Sequence, residues 1–320
     1  MITYDDVLAA YRKLASVVHH TPILMSNILN DRSGNSLFFK CENFQRGGSF
    51  KIRGAYNKIS SLTFDQLQRG VAAFSSGNHA QGVALAAKLI GTSAKIVMPT
   101  DSPKSKVEGT QNYGAQIVFY DRMKEDREVI GKKIAEEESR TLVVPFNDDY
   151  ILAGQGTIGI EIYDRFKDLD YAFFPVGGGG LISGNAVSLK HLIPHIRIVG
   201  VETETANDAY QSFRTNKIVT IAPPKTIADG MRTLSLGTKT FEIVKNKVDD
   251  IVLVSDKEVV AAMELIYSRL KIIVEPTAAV PLAAVLKNEM NLRNKKIAIL
   301  LSGGNVDMDT FFDFLKTQVN

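Results

Sequence analysis

An α/β protein with two parallel sheets is the fold this sequence predicts, and three observations lead to it. Short apolar runs rich in β-branched and aromatic residues alternate with helix-length segments along the 320-residue chain. The runs are near-continuously apolar rather than alternating with polar residues, as expected of parallel strands covered on both faces. Nine such runs are many for one sheet, and a chain of this length accommodates two units.

In chain order, the opening MITYDDVLAAYRKL has amphipathic helical spacing and acidic residues near its start. It reads as a helix, not as a leader with an apolar centre. Strands are expected at 37–41, 71–75, 95–98, 116–120, 142–145, 172–176, 197–201, 251–254 and 296–301. Helices are expected at 78–89, 157–166, 256–271 and 277–287. The predicted organisation is a discontinuous larger domain, 1–60 with 146–320, and a smaller α/β domain, 61–145.

Composition narrows the function. A net charge of +3 with scattered basic residues, and no Trp, offers neither a phosphate-backbone groove nor stacking platforms, so no nucleic-acid partner is expected. The single cysteine, Cys41, cannot form an internal disulfide, and no Cys/His set has zinc spacing. No apolar stretch is long enough to span a bilayer. The expected setting is the cytoplasm, with a small molecule as partner.

Polar and glycine-rich motifs follow the strands, where ligands of open α/β sheets bind. Gly177, Gly178, Gly179 and Gly180 lie between AFFPV and the helical LISGNAVSLK. Consecutive glycines allow close backbone approach, and their N–H groups with a helix N-terminus suit a phosphate. A flexible turn is the plain alternative. A dinucleotide fingerprint fits poorly, since its third small residue falls at Ser183. Lys51, in GGSFKIRGA, sits between Phe50 and Ile52, where partial desolvation would make its amine nucleophilic. A solvated helix lysine, with Arg53 as another surface cation, is the simpler reading. Within Ser75-Ser76-Gly77-Asn78-His79, hydroxyls and fresh helix N–H groups could hold a carboxylate, or Asn78 could only begin a helix. Glu202, Glu204 and Asp208 could gather a hard cation, though taken alone they read as a solvated loop. His19 and His20 lack a partner pattern and read as structural or exposed.

Taken together, these segments resemble the fold-type II pyridoxal-phosphate enzymes, specifically their serine/threonine dehydratase and serine racemase branch. The resemblance spans HTPIL (20–24), FFKCENFQRGGSFKIRGA (38–55), SSGNHAQGVA (75–84) and AGQGTIGIEI (153–162). It continues through PVGGGG (175–180), TIADGMR (226–232), EPTAA (275–279) and LSGGN (301–305). It implies two parallel-sheet α/β domains like the tryptophan synthase β-subunit, with the cofactor in the cleft.

Carried over residue by residue, the resemblance implies that Lys51 binds the cofactor covalently and moves the Cα proton, with Phe50 near the ring. Asn78 would bond the 3′ oxygen, while Gly177, Gly178, Gly179, Gly180 and the Leu181 N–H cup the phosphate. Ser302 would face the pyridine nitrogen, and Glu275 would lie near the ring. Ser75, Asn78 and His79 would grip the substrate carboxylate. Ser76, opposite the lysine, is compatible with racemisation.

The resemblance also implies a divalent cation, magnesium, manganese or calcium, held by Glu202, the Ala206 carbonyl and Asp208. An ATP effector at Ser26, Gln81, Tyr113, Lys271 and Asn305 is a further expectation, although Gly47 replaces a hydroxyl residue there. A homodimer is expected. The chain ends soon after LSGGN, so a C-terminal regulatory domain with isoleucine feedback is not.

The expected function is deamination of L-serine and L-threonine by α,β-elimination, with serine racemisation as a companion activity. A dedicated serine racemase or a 3-hydroxyaspartate dehydratase is the nearest alternative. A cysteine synthase fits less well, because Ile52-Arg53 stands where that group carries Asp-Arg. A non-catalytic small-molecule binder and a nicotinamide dehydrogenase are the more distant rivals.

Overall fold

The structure is a computed structural model and describes residues 1–75 and 77–316. Two sheets organise it. The larger joins β1 (Ile23–Leu24), β2 (Ser36–Cys41), β7 (Tyr171–Pro175), β8 (Arg197–Thr203), β9 (Asp250–Val254) and β10 (Lys296–Leu301) in the order β1-β2-β10-β7-β8-β9. All its pairs are parallel except β1 with β2. The smaller joins β3 (Val71–Phe74), β4 (Ala94–Pro99), β5 (Gln116–Tyr120) and β6 (Thr141–Leu142), all parallel, in the order β5-β4-β3-β6.

The apolar strand runs arise because both faces of the larger sheet are covered. Phe39, Phe173, Val199 and Ile299 pack on one face with the Pro276–Lys287 helix. Ala172, Phe174, Ile198 and Leu300 pack on the other with the Asp149–Arg165 and Gly180–Leu192 helices. Successive strand residues point to opposite faces, so Phe173 and Phe174 serve different cores. Those last two helices approach backbone to backbone: a Cβ on Gly184 would lie 2.2 Å from the Leu152 carbonyl oxygen. Only glycine permits that approach, and it fixes the helix that follows the four-glycine run.

Several expected elements shift for local reasons. The 142–145 strand contracts to Thr141–Leu142, because after the Val143 N–H bond to Ala72 the chain turns into the cleft at Pro145. The 157–166 helix begins at Asp149, where the Asp148 carboxylate accepts from the Tyr150 and Ile151 N–H groups. The 256–271 helix is α-helical only to Leu265 and finishes as a π turn over Ile266–Leu270. No helix among the described residues is long and apolar enough to cross a membrane.

Candidate active site

The carboxyl ends of β2, β3, β7 and β10 lead into loops that meet in one cleft of about 1040 Å³, its open mouth included. Phe50, Lys51, Ser75, Asn78, His79, the four glycines, Leu181, Glu275 and Ser302 all line it. Ser76, the remaining residue expected there, lies outside the described residues. Backbone bonds stitch the loops together. Phe50 N–H donates to Ser302 O (3.2 Å), Gly304 N–H to Gly48 O (2.9 Å) and Glu275 N–H to Gly303 O (3.1 Å).

Lys51 begins the Lys51–Ile59 helix, and its ammonium donates to Pro145 O at 3.1 Å and lies 5.1 Å from the Phe50 ring centroid. Burial lowers its pKa to about 8 against the opposing charge of Glu275. An appreciable fraction of the amine is therefore unprotonated, and nucleophilic, near neutral pH.

Opposite it, Gly179 adopts φ +84°, a left-handed conformation that turns β7 into the Gly180–Leu192 helix. Thr240 Oγ1 donates to Gly178 O at 2.8 Å and fixes the turn from behind. Side chains would collide here, since a Cβ on Gly178 would lie 2.2 Å from the Phe146 ring. The arrangement fits an anion at a helix N-terminus. Ser302 Oγ is buried and has no partner among the described residues. A buried hydroxyl left unbonded is costly, so it is made to meet a ligand. An amine, a backbone anion cup and an unbonded hydroxyl in one cleft fit the donor set that pyridoxal phosphate requires.

Asn78 and His79 depart from a simple carboxylate-gripping loop. Asn78 Nδ2 donates to Glu275 Oε1 at 2.6 Å, and Asn78 Oδ1 accepts from Asn305 Nδ2 at 2.9 Å. The amide is thereby oriented from both sides. His79 is buried with Nε2 2.9 Å from Val143 O. Burial first, then the charge of Lys51, pushes its pKa down to about 3, so the ring is neutral and offers no positive charge to a carboxylate. Glu275 is buried at the start of the Pro276–Lys287 helix. Burial raises its carboxyl to about 7 even though Lys106 opposes the shift.

Two readings from local sequence are corrected. Arg53 is not a surface cation. It is fully buried, 2.8 Å from Glu42 and 2.6 Å from Glu161, and Lys40 completes a four-charge network 2.5 Å from Glu161. Nor are Glu202 and Asp208 in a solvated loop, since both are fully buried. Glu202 Oε2 accepts from the Tyr210 N–H at 2.8 Å, whereas Glu202 Oε1 and both Asp208 side-chain oxygens have no partner among the described residues. Burial raises Asp208 to about 7, and burial with the Asp208 charge raises Glu202 well above the carboxylate range. Ala206 is buried beside them, its N–H bonded to Thr203 O. Among the described residues no group of three or more His, Cys, Asp or Glu could hold a metal ion, so backbone oxygens would have to complete any site.

The five residues expected around a nucleotide are less unified. Asn305 is drawn into the active-site network through Asn78 and Gly47 O. Ser26 caps the Asn27–Ser33 helix, and Gln81 is buried against Gly109. Tyr113 follows the Lys104–Asn112 helix, and Lys271 is exposed with φ +61° after the π turn. No hydrogen bond joins any two of the five among the described residues. Lys106 and Asp229 were not singled out from sequence, yet both line the cleft and form an ion pair across it at 2.5 Å.

Comparison with known proteins agrees with this geometry. The family model "Pyridoxal-phosphate dependent enzyme" matches residues 14–303. The chain is 47% identical to a serine racemase of Schizosaccharomyces pombe over 98% of this chain and 97% of that protein. It is 49% identical to an L-threo-3-hydroxyaspartate ammonia-lyase of Saccharomyces cerevisiae, covering 97% and 95% respectively. The solved structure of maize serine racemase superposes with a TM-score of 0.94 at 42% identity, covering 99% of this chain and 98% of that one.

Proposed function

Because this chain belongs to the family of pyridoxal-phosphate dependent enzymes, a fold-type II α/β architecture, we propose that it deaminates L-serine and L-threonine. Water leaves across Cα and Cβ and returns on hydrolysis, so the net products are ammonia with pyruvate or 2-oxobutanoate. The observation that carries this reading is the pairing of the half-buried Lys51 amine, its pKa lowered by desolvation, with a Ser302 hydroxyl that is unbonded among the described residues, in one cleft.

Bound there, pyridoxal phosphate would draw electron density from the substrate Cα. Lys51 would hold it and take the Cα proton, for which its lowered pKa suits it. Gly177, Gly178, Gly179, Gly180 and the Leu181 N–H would cradle its phosphate. Ser302 would offer the ring nitrogen a hydroxyl rather than a carboxylate and so would not hold a proton there. Charge is then less widely delocalised, and departure of the β-hydroxyl competes well. Ser75, Asn78 and the backbone N–H of His79 would orient the substrate carboxylate, because the neutral His79 ring spends its one N–H on Val143 O.

A second reading, elimination from L-threo-3-hydroxyaspartate, is favoured by Arg127. This residue lines the cleft 5.9 Å from the Phe74 ring centroid and has no carboxylate partner among the described residues. Arg122, which also lines the cleft, is already paired with Asp101 at 2.8 Å. An unpaired guanidinium suits a second substrate carboxylate. The two readings are separated by measuring 2-oxo acid from L-serine, L-threonine and L-threo-3-hydroxyaspartate, with D-serine assayed alongside. Pyruvate and 2-oxobutanoate are expected as major products, and D-serine forming faster than pyruvate would instead mark a dedicated racemase. If the dicarboxylate is the true substrate, Arg127→Met lowers its kcat/KM roughly 10- to 100-fold more than that for L-serine.

Glu202, the Ala206 carbonyl and Asp208 are proposed to bind magnesium, manganese or calcium, on the strength of the three unpartnered carboxylate oxygens. Without the ion, the native chain holds protons on this pair that the unfolded chain has released. Stability therefore falls as pH rises from about 4 to about 7, between the ordinary Asp208 value and its raised one. At a 100-fold excess over Kd, the ion should raise Tm by about 4 °C at pH 8. It should do much less at pH 5, where protons compete, and nothing in Asp208→Asn. Equal rises in Tm at both pH values would contradict the assignment.

A further inference from the structure

Lys106 connects the two units of the fold. It lies in the first turn of the Lys104–Asn112 helix, which packs with the smaller sheet, yet its ammonium meets carboxylates of the larger unit. Asp229 Oδ2 is 2.5 Å away and Glu275 Oε2 is 3.4 Å away. The side chain is only 3% exposed, so these are desolvated contacts rather than surface pairs of little worth. A neighbouring bond, Ser105 N–H to Asp307 Oδ1 at 3.2 Å, fastens the same helix start to the larger unit.

The stem of Lys106 also underlies the loop that carries Asn78. A Cβ on Gly77 would lie 2.6 Å from Lys106 Cδ, so any larger residue there would displace the lysine stem. Glu275 uses its other oxygen to accept from Asn78 Nδ2, and Asn305 holds the far side of that amide. One lysine side chain therefore touches the Gly77 backbone, the carboxylate that orients Asn78 and the opposite wall of the cleft.

We propose that Lys106 is a positioning residue that ties the seating of the smaller unit over the cleft to the charge carried by Glu275. With Lys106 seated, its ammonium favours the carboxylate form of Glu275, and the carboxylate accepts strongly from Asn78. With Lys106 withdrawn, a buried Glu275 has lost its closest cation and takes up a proton, which weakens its hold on the amide. The other charges facing Glu275 are Asp229, which favours its protonation, and Lys51, with which it shares a mutual attraction. Asn78 is thus aimed into the cleft only when both units are in contact. The inference rests on the proposed reaction only for what Asn78 then orients.

The test uses the apoprotein, so its outcome is independent of the substrate. The side-chain carboxyl carbon of Glu275 is followed by NMR against pH in glutamate-labelled protein, with Glu275→Gln giving the assignment. The wild-type midpoint is expected at about 7. Lys106→Met should move it upward by about one pH unit or more. Asp229→Asn removes a like charge and should move it downward, whereas Lys106→Arg should keep it near wild type. Amide exchange over residues 77–79 should quicken in Lys106→Met. An unchanged midpoint in a folded Lys106→Met, even with faster exchange, would reduce Lys106 to a strut and overturn the proposal. So would upward movement in both Lys106→Met and Asp229→Asn.

Discussion

Arg53→Met is expected to destabilise the protein by about 3–5 kcal/mol in urea unfolding, the range for removing one partner of a buried ion pair. The loss comes from what remains: Glu42 and Glu161, both buried, would share the single cation of Lys40. Thr21 Oγ1 already donates to Glu42 and Thr157 Oγ1 already donates to Gly154 O, so neither hydroxyl is a spare donor to replace the guanidinium. The effect has a pH signature. Burial would raise Glu42, but Arg53 and then Lys40 overcome it and hold the carboxyl below its ordinary value of 4.5. The stabilisation is present above that value and is lost as pH falls through the lowered native value. The gap between wild type and variant should therefore narrow in acid. Adding Glu42→Gln to Arg53→Met should recover part of the loss, because one stranded charge is removed. A variant within about 1 kcal/mol of wild type at pH 7 would show that the network is not the anchor of the Lys51–Ile59 helix.

Lys51→Ala is expected to lower kcat/KM for L-serine and L-threonine by roughly 10³-fold or more, since it removes both the covalent tether and the proton acceptor. The absorbance band of lysine-bound pyridoxal phosphate should be present in wild type and absent in the variant. In wild type, uptake of the cofactor aldehyde by the apoprotein should quicken as pH rises through about 8, as burial of the amine dictates. Circular dichroism should show the variant folded, because Lys51 makes one hydrogen bond, to Pro145 O, and no ion pair closer than 4 Å among the described residues. Retained activity in the folded variant would remove Lys51 from the chemistry.

What was legible in the sequence follows the range over which each cause acts. β5 begins and ends where its apolar run does, and the four-glycine run is found at the carboxyl end of β7 where a turn was expected. These are local matters of strand covering and backbone freedom. Arg53 and Glu161 are 108 residues apart, and Lys106 and Asp229 are 123 apart, so nothing near either residue announces its partner. One signal was available. Lys40 sits inside the apolar SLFFKC strand and Glu161 inside TIGIEI, and a charge within a run covered on both faces must find an opposite charge. The pairing of Glu202 with Asp208 was likewise readable only as acidic residues close in sequence. The burial of Glu202 follows from β8 lying between β7 and β9, a property of strand order, and Asp208 is buried beside it at the start of the Asp208–Thr215 helix.

That strand order also has a consequence for biosynthesis. Of the strands among the described residues β10 is the last to leave the ribosome, yet it lies between β2 and β7, pairing with Ser36–Cys41 on one side and Tyr171–Phe173 on the other. Until residues 296–301 emerge, the nascent larger sheet has a gap at its centre with two apolar strands unpaired along it. The strands from Val71 to Leu142, by contrast, have all their partners within the same stretch of chain and can assemble early. Pairings so distant in sequence are slow to form, and unpaired apolar strands are what nascent-chain chaperones bind and what aggregates when they fail. Chains stalled or cut before residue 296 should therefore accumulate as insoluble material with a protease-resistant core around residues 71–142.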